Sequence, residues 1–262
     1  MRSKILIIAG SDSGGGAGIQ ADIKTATSLK TYCASAITCL TAQNSQKVSD
    51  IFYPPAEFIS KQIEVVLKDL EINAIKIGML GNEEIISAVL LLLKNQAKNI
   101  PIITDPVMVA TSGDSLLKGN SIDSLKELLA ISYLTTPNIP EAEILAGMKI
   151  SNLKDVEIAA HKIQEIGVKN VLIKGGHLNL GNKISNYLLK ENGQEKVFTN
   201  KRLDLGKIHG TGCTLASAIS CFVSQNFDLD VAIKKANSFV FKAIKNSQKI
   251  GKGSRILRHY QL

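Results

Sequence analysis

The hexapeptide His209-Gly210-Thr211-Gly212-Cys213-Thr214 runs straight into Leu215-Ala216-Ser217-Ala218-Ile219, a stretch with helical character. At a helix start the first-turn N–H groups have no intrahelical partners. Glycines leave those groups open to a ligand, and the helix dipole favours negative charge there, so the turn is a candidate anion site. An ordinary glycine-rich helix start would read the same way in isolation. Cys213 sits inside this turn, where the helix N-terminus favours a thiolate and a bound anion would oppose one. A second segment, Gly10-Ser11-Asp12-Ser13-Gly14-Gly15-Gly16-Ala17-Gly18, packs five glycines into nine residues. That density exceeds the need of a simple turn and suggests backbone lying close to a ligand. It fits neither the phosphate loop that ends in Gly-Lys-Ser/Thr nor the dinucleotide fingerprint.

The elements that must position these segments alternate along the chain. Short β-branched runs at Lys4–Ala9, Ser35–Leu40, Ala74–Gly78, Ile100–Thr104, Tyr133–Thr135 and Val171–Lys174 read as strands. Helical patterns cover Ile19–Leu29, Ala56–Asp69, Glu83–Ala97, Ser121–Ile131 and Val156–Ile166. Strand–helix alternation predicts an α/β fold with a mainly parallel sheet covered on both faces. The glycine-rich segment then falls between a strand and a helix, where open α/β sheets bind ligands. The rhythm changes near Asn182: Ile184–Leu189 and Lys196–Thr199 flank Glu191-Asn192-Gly193-Gln194 and predict an antiparallel edge hairpin. Two helices close the chain. The last carries Leu229, Ile233, Ala236, Val240 and Ala243 at helical spacing, with Asp228 as N-cap and Gly251 as stop. No repeat, linker or composition break appears, so residues 1–262 are expected to form a single domain.

Composition excludes several classes. The chain carries 31 basic and 23 acidic residues, a net +8. The excess is spread along helical stretches such as Lys234, Lys235, Lys242, Lys245 and Lys249, as on a solvated face, and no nucleic-acid module accompanies it. The cysteines Cys33, Cys39, Cys213 and Cys221 form no C-x-x-C pair, and the histidines are far apart, which argues against zinc and fits a reducing compartment. The apolar run Lys4–Ala9 is too short for a signal peptide, and Ile85 to Leu93 is too short to span a bilayer. A soluble, cytoplasmic protein that binds neither nucleic acid nor membrane is the expectation. A homodimer is expected on the frequency of that state alone.

Five segments in order carry a resemblance. They are the glycine-rich segment; Asp105-Pro106-Val107-Met108-Val109-Ala110-Thr111-Ser112-Gly113-Asp114; Thr136-Pro137-Asn138-Ile139-Pro140-Glu141-Ala142-Glu143; Val171-Leu172-Ile173-Lys174-Gly175-Gly176-His177; and the turn at His209–Thr214. Together, from about Ile5 to Gly253, they resemble the hydroxymethylpyrimidine/phosphomethylpyrimidine kinases of thiamine synthesis, within the ribokinase-like superfamily. The resemblance implies a three-layer αβα fold, ATP with Mg²⁺, and two successive phosphorylations of one pyrimidine. It places Asn138 and Glu141 in the magnesium–phosphate region, where an amide and a carboxylate can hold a hydrated Mg²⁺ through its waters. Asp105 would add negative charge for the same metal, and Lys174 would reach a phosphate. Gln43 matches the position that hydrogen-bonds the pyrimidine, since an amide offers both a donor and acceptors. Gly10, Ala17, Asp22, Met79 and Val107 are expected around the same pocket. Gly210, Thr211 and Gly212 would stabilise the transferred phosphoryl group, and Cys213 would be the base toward the attacking hydroxyl.

Each assignment has a plainer alternative: Glu141 as a helix-start charge beside Pro140, Asp105 as a turn residue, Lys174 as a surface lysine, Cys213 as an inert helix cysteine like Cys221. The nearest rival function is that of a pyridoxal kinase. One branch of those enzymes carries a second cysteine just before a Lys in the Asp-Pro-Val segment, where this chain has Ala110 and Thr111. A ligand-binding module without catalysis is a rival of another class, and the joint presence of Asn138, Glu141, Lys174 and Cys213 argues against it. The family usually has an Asn before the last turn, whereas this chain has Gly206-Lys207-Ile208.

Overall fold

The computed structural model describes residues 3–108, 121–177 and 183–260. In chain order the elements are β1 (Lys4–Asp12), α1 (Gly18–Ser28), β2 (Tyr32–Gln43), β3 (Val48–Phe52), α2 (Ala56–Asp69), β4 (Ala74–Ile77), α3 (Glu83–Gln96), β5 (Ile102–Thr104), α4 (Ser121–Ala130), β6 (Leu134–Thr135), α5 (Ile139–Ala146), α6 (Leu153–Gln164), β7 (Asn170–Ile173), β8 (Lys183–Leu189), β9 (Glu195–Lys201), β10 (Ile208–His209), α7 (Thr211–Ser224), α8 (Leu229–Lys245) and β11 (Arg255–Ile256).

Nine strands form one sheet in the order β3-β2-β1-β4-β5-β6-β7-β8-β9. The stretch from β2 to β7 is parallel, and β3, β8 and β9 join it antiparallel at the edges. Side chains of β1 alternate between two separate cores. Leu6 and Ile8 pack with α2–α6 residues such as Ile59, Ile86, Leu128, Ala142 and Ala160. Ile5, Ile7 and Ala9 pack with α1, α7 and α8 through Ile19, Ile219 and Ile233. Two apolar layers on opposite faces of the sheet make a three-layer αβα sandwich. Each fully buried isoleucine contributes about 1.5–3 kcal/mol relative to exposure.

Strand β1 lies at the switch point of the sheet, because β2 follows on one side and β4 on the other. Such a reversal opens a crevice beyond the carboxyl ends of the strands. A register shift between Ala9 and Ser11 redirects β1 there. At Gly10 a Cβ would come within 2.6 Å of Cys39 Sγ, so the bend takes only glycine without rearrangement.

Some expectations need correction. Strand β3 is absent from the expected elements, because Ser49 and Asp50 break its short apolar pattern and none of its residues is buried on the sheet edge. The short β10–β11 pair is also unforeseen, as two-residue strands leave no periodic trace. Helix α8 stops at Lys245, well before Gly251; Asp228 stands at its N-cap as expected, though its side chain makes no capping hydrogen bond. The positions Val109–Asp114, with Ala110 and Thr111 among them, and Asn182 lie outside the described residues.

Candidate active site

The carboxyl ends of six parallel strands converge on one cavity of about 780 Å³. Gly10 and Asp12 come from β1, Gln43 from β2, Met79 from beyond β4, Asp105 and Val107 from beyond β5, Asn138 from beyond β6 and Lys174 from beyond β7. The start of α7 closes the cavity with Gly210, Thr211, Gly212 and Cys213, and Ala17 and Glu141 complete the expected set. Asp22 does not reach it. That residue is fully buried beneath the cavity, ion-paired with Lys76 at 2.8 Å, because its place on α1 points it into the layer between helix and sheet.

The turn before α7 is built by close backbone packing. Gly210 caps the helix with φ of 87°, and a Cβ there would lie on the Gly16 carbonyl oxygen. The anion-site turn therefore rests directly on the glycine-rich segment. Asp12 organises that segment: its carboxylate accepts N–H donors from Gly14 at 2.8 Å, Gly16 at 3.0 Å and Ala17 at 2.8 Å. His209 Nε2 lies 3.0 Å from the same carboxylate and 3.0 Å from the Gln43 amide nitrogen. Burial works against the charge of Asp12, but the His209 and backbone hydrogen bonds outweigh it and hold its pKa below the usual value. Asp12 stands in the glycine-rich segment, but its role as a clamp is not legible in the sequence, as its N–H donors meet it only once the loop folds back.

Beyond β5–β7 stands an ionic group. Lys174 Nζ is 2.6 Å from Asp105 Oδ1 and 4.0 Å from Glu141 Oε2. Gly212 sits over it: a Cβ there would be 3.2 Å from Asp105 Oδ2 and 3.3 Å from Lys174 Nζ. Lys174 is not a surface lysine, since its side chain is 14% exposed. For Asn138 and Glu141 the plain reading and the functional one coincide. They form a reciprocal capping box, Glu141 N donating to Asn138 Oδ1 at 3.0 Å and Asn138 N to Glu141 Oε2 at 2.8 Å, and both line the cavity. Burial pushes the Glu141 carboxyl up to about 7, with Asp105 adding to the effect and Lys174 opposing it.

Burial outweighs the helix start in setting the acidity of Cys213. The helix start is expected to favour its thiolate, yet the thiol is pushed up to about 11, chiefly by burial, with Lys76 opposing and Asp22 and Asp105 adding. Cys221 is fully buried in the α7 core, as its plain reading requires.

A further part of the cavity is not foreseen from sequence. It runs between β9 and α8 past Asn200, Leu203, Asn237, Val240, Phe241 and Ile244. Val240 reads only as part of the apolar stripe of the last helix, a pattern that core and cavity residues share.

Solved structures similar to this chain include kinases of small molecules. A pyridoxal kinase from Bacillus subtilis in complex with ADP aligns with TM-score 0.90 at 29% identity, over 99% of this chain and 98% of that one. A phosphomethylpyrimidine kinase from Clostridium difficile aligns with TM-score 0.82 at 39% identity, over 93% and 100% of the two chains. The phosphomethylpyrimidine kinase family model matches residues 12–258, and the chain belongs to that family. A hydroxymethylpyrimidine/phosphomethylpyrimidine kinase of Bacillus subtilis is 42% identical over 258 residues, 98% of this chain and 94% of that protein. The chain spans about half the length of two other curated relatives, at 52% and 49%. Among the described residues no helix is long and apolar enough to cross a membrane.

Proposed function

We propose that this chain is an ATP-dependent kinase that phosphorylates 4-amino-5-hydroxymethyl-2-methylpyrimidine and then its monophosphate, as one domain in the cytoplasm. The observation that carries this reading is the seating of Gly212 over the Asp105–Lys174 pair. It joins an anion-binding helix start to a cationic and acidic cluster, the combination that phosphoryl transfer needs. The pyrimidine would lie against Gly10, Ala17, Met79 and Val107, with its polar edge toward Gln43. The nucleoside end of ATP would enter between β9 and α8, its base against Val240, Phe241 and Ile244, and its phosphates would run toward Lys174, Asn138 and the α7 start.

In the first transfer the hydroxymethyl oxygen attacks Pγ. The bond from Pγ to the β–γ bridging oxygen breaks, and its electron pair leaves on ADP. The hydroxyl proton passes to the Cys213 sulfur in its thiolate form and then to solvent. The N–H groups of Thr211, Gly212 and Cys213 receive the charge of the group in flight. In the second transfer the nucleophile is a phosphate monoester, already ionised near neutral pH because its second pKa is about 6.

The residues present suit Mg²⁺. Asp105 and Glu141 offer hard oxygen donors, and no group of three or more His, Cys, Asp or Glu side chains among the described residues builds a fuller cage. Mg²⁺ in kinase sites is held in this way, by one or two carboxylates with water and substrate phosphates. When bound, it would neutralise charge on the phosphate oxygens. Lys174 keeps its own charge despite burial because Asp105 and Glu141 stabilise it. It can therefore turn from Asp105 toward an entering phosphate, and Asp105 and Glu141 would then be free to hold the metal.

A time course followed by phosphorus NMR tests the two-step reading. With excess Mg-ATP, the pyrimidine monophosphate should rise and then fall as the diphosphate appears. Accumulation of monophosphate alone would refute the second step.

A further inference from the structure

Beneath the cavity lies a charged pair that the transfer chemistry above does not use. Lys76 on β4 and Asp22 on α1 are both wholly buried, with Nζ 2.8 Å from Oδ2. Ser217 Oγ donates to the other Asp22 oxygen at 2.6 Å, and Ser217 lies one turn beyond Cys213 on α7. As pure scaffolding such a pair is a poor choice, since apolar side chains of similar volume often serve a buried site as well or better. Its position suggests another use. Lys76 lines the same cavity as Cys213. Gly78 leaves room for the ammonium, as a Cβ there would lie 2.8 Å from Lys76 Nζ.

The surroundings of the Cys213 sulfur come from several elements. Lys76 on β4, Asp105 beyond β5 and Lys174 beyond β7 line the cavity together with Cys213, and Asp22 and the Gly18 N–H on α1 also act on its thiol. Lys76 favours the thiolate, whereas Asp22 and Asp105 oppose it. Burial disfavours its ammonium, but Asp22 and the other nearby anionic groups keep it charged.

The geometry points to Lys76, fixed by Asp22 and Ser217, as a positioning residue that holds a cation beneath Cys213 and stabilises the thiolate receiving the hydroxymethyl proton. This rests on the reading of Cys213 as base in the first transfer. Lys76 itself gives up no proton: the proton leaves the hydroxymethyl oxygen as the O–Pγ bond forms and ends on sulfur, while ADP departs with the electron pair. The second transfer, whose nucleophile is already anionic, should not need this support.

The test is the rate of Cys213 alkylation by iodoacetamide in the intact protein at pH 8, followed by mass spectrometry on the Cys213 peptide. Lys76→Gln removes the charge but leaves a donor for Asp22. The double variant Lys76→Met with Asp22→Asn removes the pair altogether, so either folded protein serves. The alkylation rate should fall about tenfold or more, because losing a close opposite charge lowers the thiolate fraction. The rate of hydroxymethyl phosphorylation should fall about tenfold at fixed pH, with phosphorylation of the monophosphate nearly unchanged. Lys76→Arg should restore the alkylation rate toward that of the parent. An unchanged alkylation rate in a folded variant overturns the proposal. A lowered alkylation rate with undiminished hydroxymethyl phosphorylation would uphold the Lys76–Cys213 coupling and refute instead the reading of Cys213 as base.

Discussion

Replacing Gly212 with aspartate should lower both phosphorylations by about 10³-fold or more. The new carboxylate would enter beside Asp105 and Lys174, whose nearest atoms lie 3.2 and 3.3 Å from the position of its Cβ. There it would pair with Lys174 or repel the phosphoryl group that the α7 start must hold. A unit charge at 4 Å in a partly screened site is worth about 4 kcal/mol, roughly 10³-fold in rate. Gly212 is not among the positive-φ glycines, so the backbone accepts a side chain. Gly210 offers no such clean test, because any Cβ there meets the Gly16 carbonyl. Gly212→Ala serves as the steric control and should lose much less activity than the aspartate variant. Initial rates on both substrates, alongside thermal melts, decide the matter. A folded Gly212→Asp protein with undiminished rates would mean that the phosphoryl group travels elsewhere.

Replacing Cys213 with alanine should separate the two transfers. Phosphorylation of the hydroxymethyl group should fall by about 10²-fold, a typical worth of general-base assistance. Phosphorylation of the monophosphate should fall much less, since an ionised nucleophile needs no base. With the thiol pushed up to about 11, only about one molecule in 10⁴ carries the thiolate at pH 7. The deprotonated form is the active one and its fraction grows tenfold per pH unit below the pKa. The first transfer should therefore quicken from pH 7 to pH 9 in the parent protein, and this slope should vanish in Cys213→Ala. The loose transition state of phosphoryl transfer fits such a scarce base, as the alcohol proton need leave only late. Single-turnover measurements on each substrate would show the split. Equal losses in both steps would make Cys213 part of the anion site rather than a proton acceptor.

Much of the architecture is legible in the sequence because burial imposes a period. Strands covered on both faces read as continuous apolar runs, and α2 is bounded at Ala56–Asp69 by its pattern alone. What escapes is structure without a period. β3 is an exposed edge strand, and β10 and β11 exist only because the chain's tail returns to Lys207 and His209. At the site, glycine spacing and the resemblance carried by five ordered segments nominate residues that, Asp22 apart, line the cavity, but they leave much of its lining unnamed. Asp12 and His209 are not nominated as a pair, since they meet across 197 positions of sequence. Asp22 is assigned to the cavity through resemblance, whereas the structure sends its carboxylate downward to Lys76 and Ser217. The acidity of Cys213 is not legible in the sequence for a related reason. A helix start is visible in sequence, but the burial that outweighs it depends on α1 and β4 closing around the thiol.

Substrate choice is where the kinases of this fold divide, since its structural relatives include pyridoxal kinases as well as a phosphomethylpyrimidine kinase. The decisive measurement is ADP release by the purified protein with Mg-ATP, in parallel with hydroxymethylpyrimidine, its monophosphate, pyridoxal and ribose. Both pyrimidines should be turned over with kcat/KM well above that for pyridoxal, and ribose should give only the background rate. A higher kcat/KM for pyridoxal, or turnover of the free pyrimidine with none of its monophosphate, would contradict the proposed function.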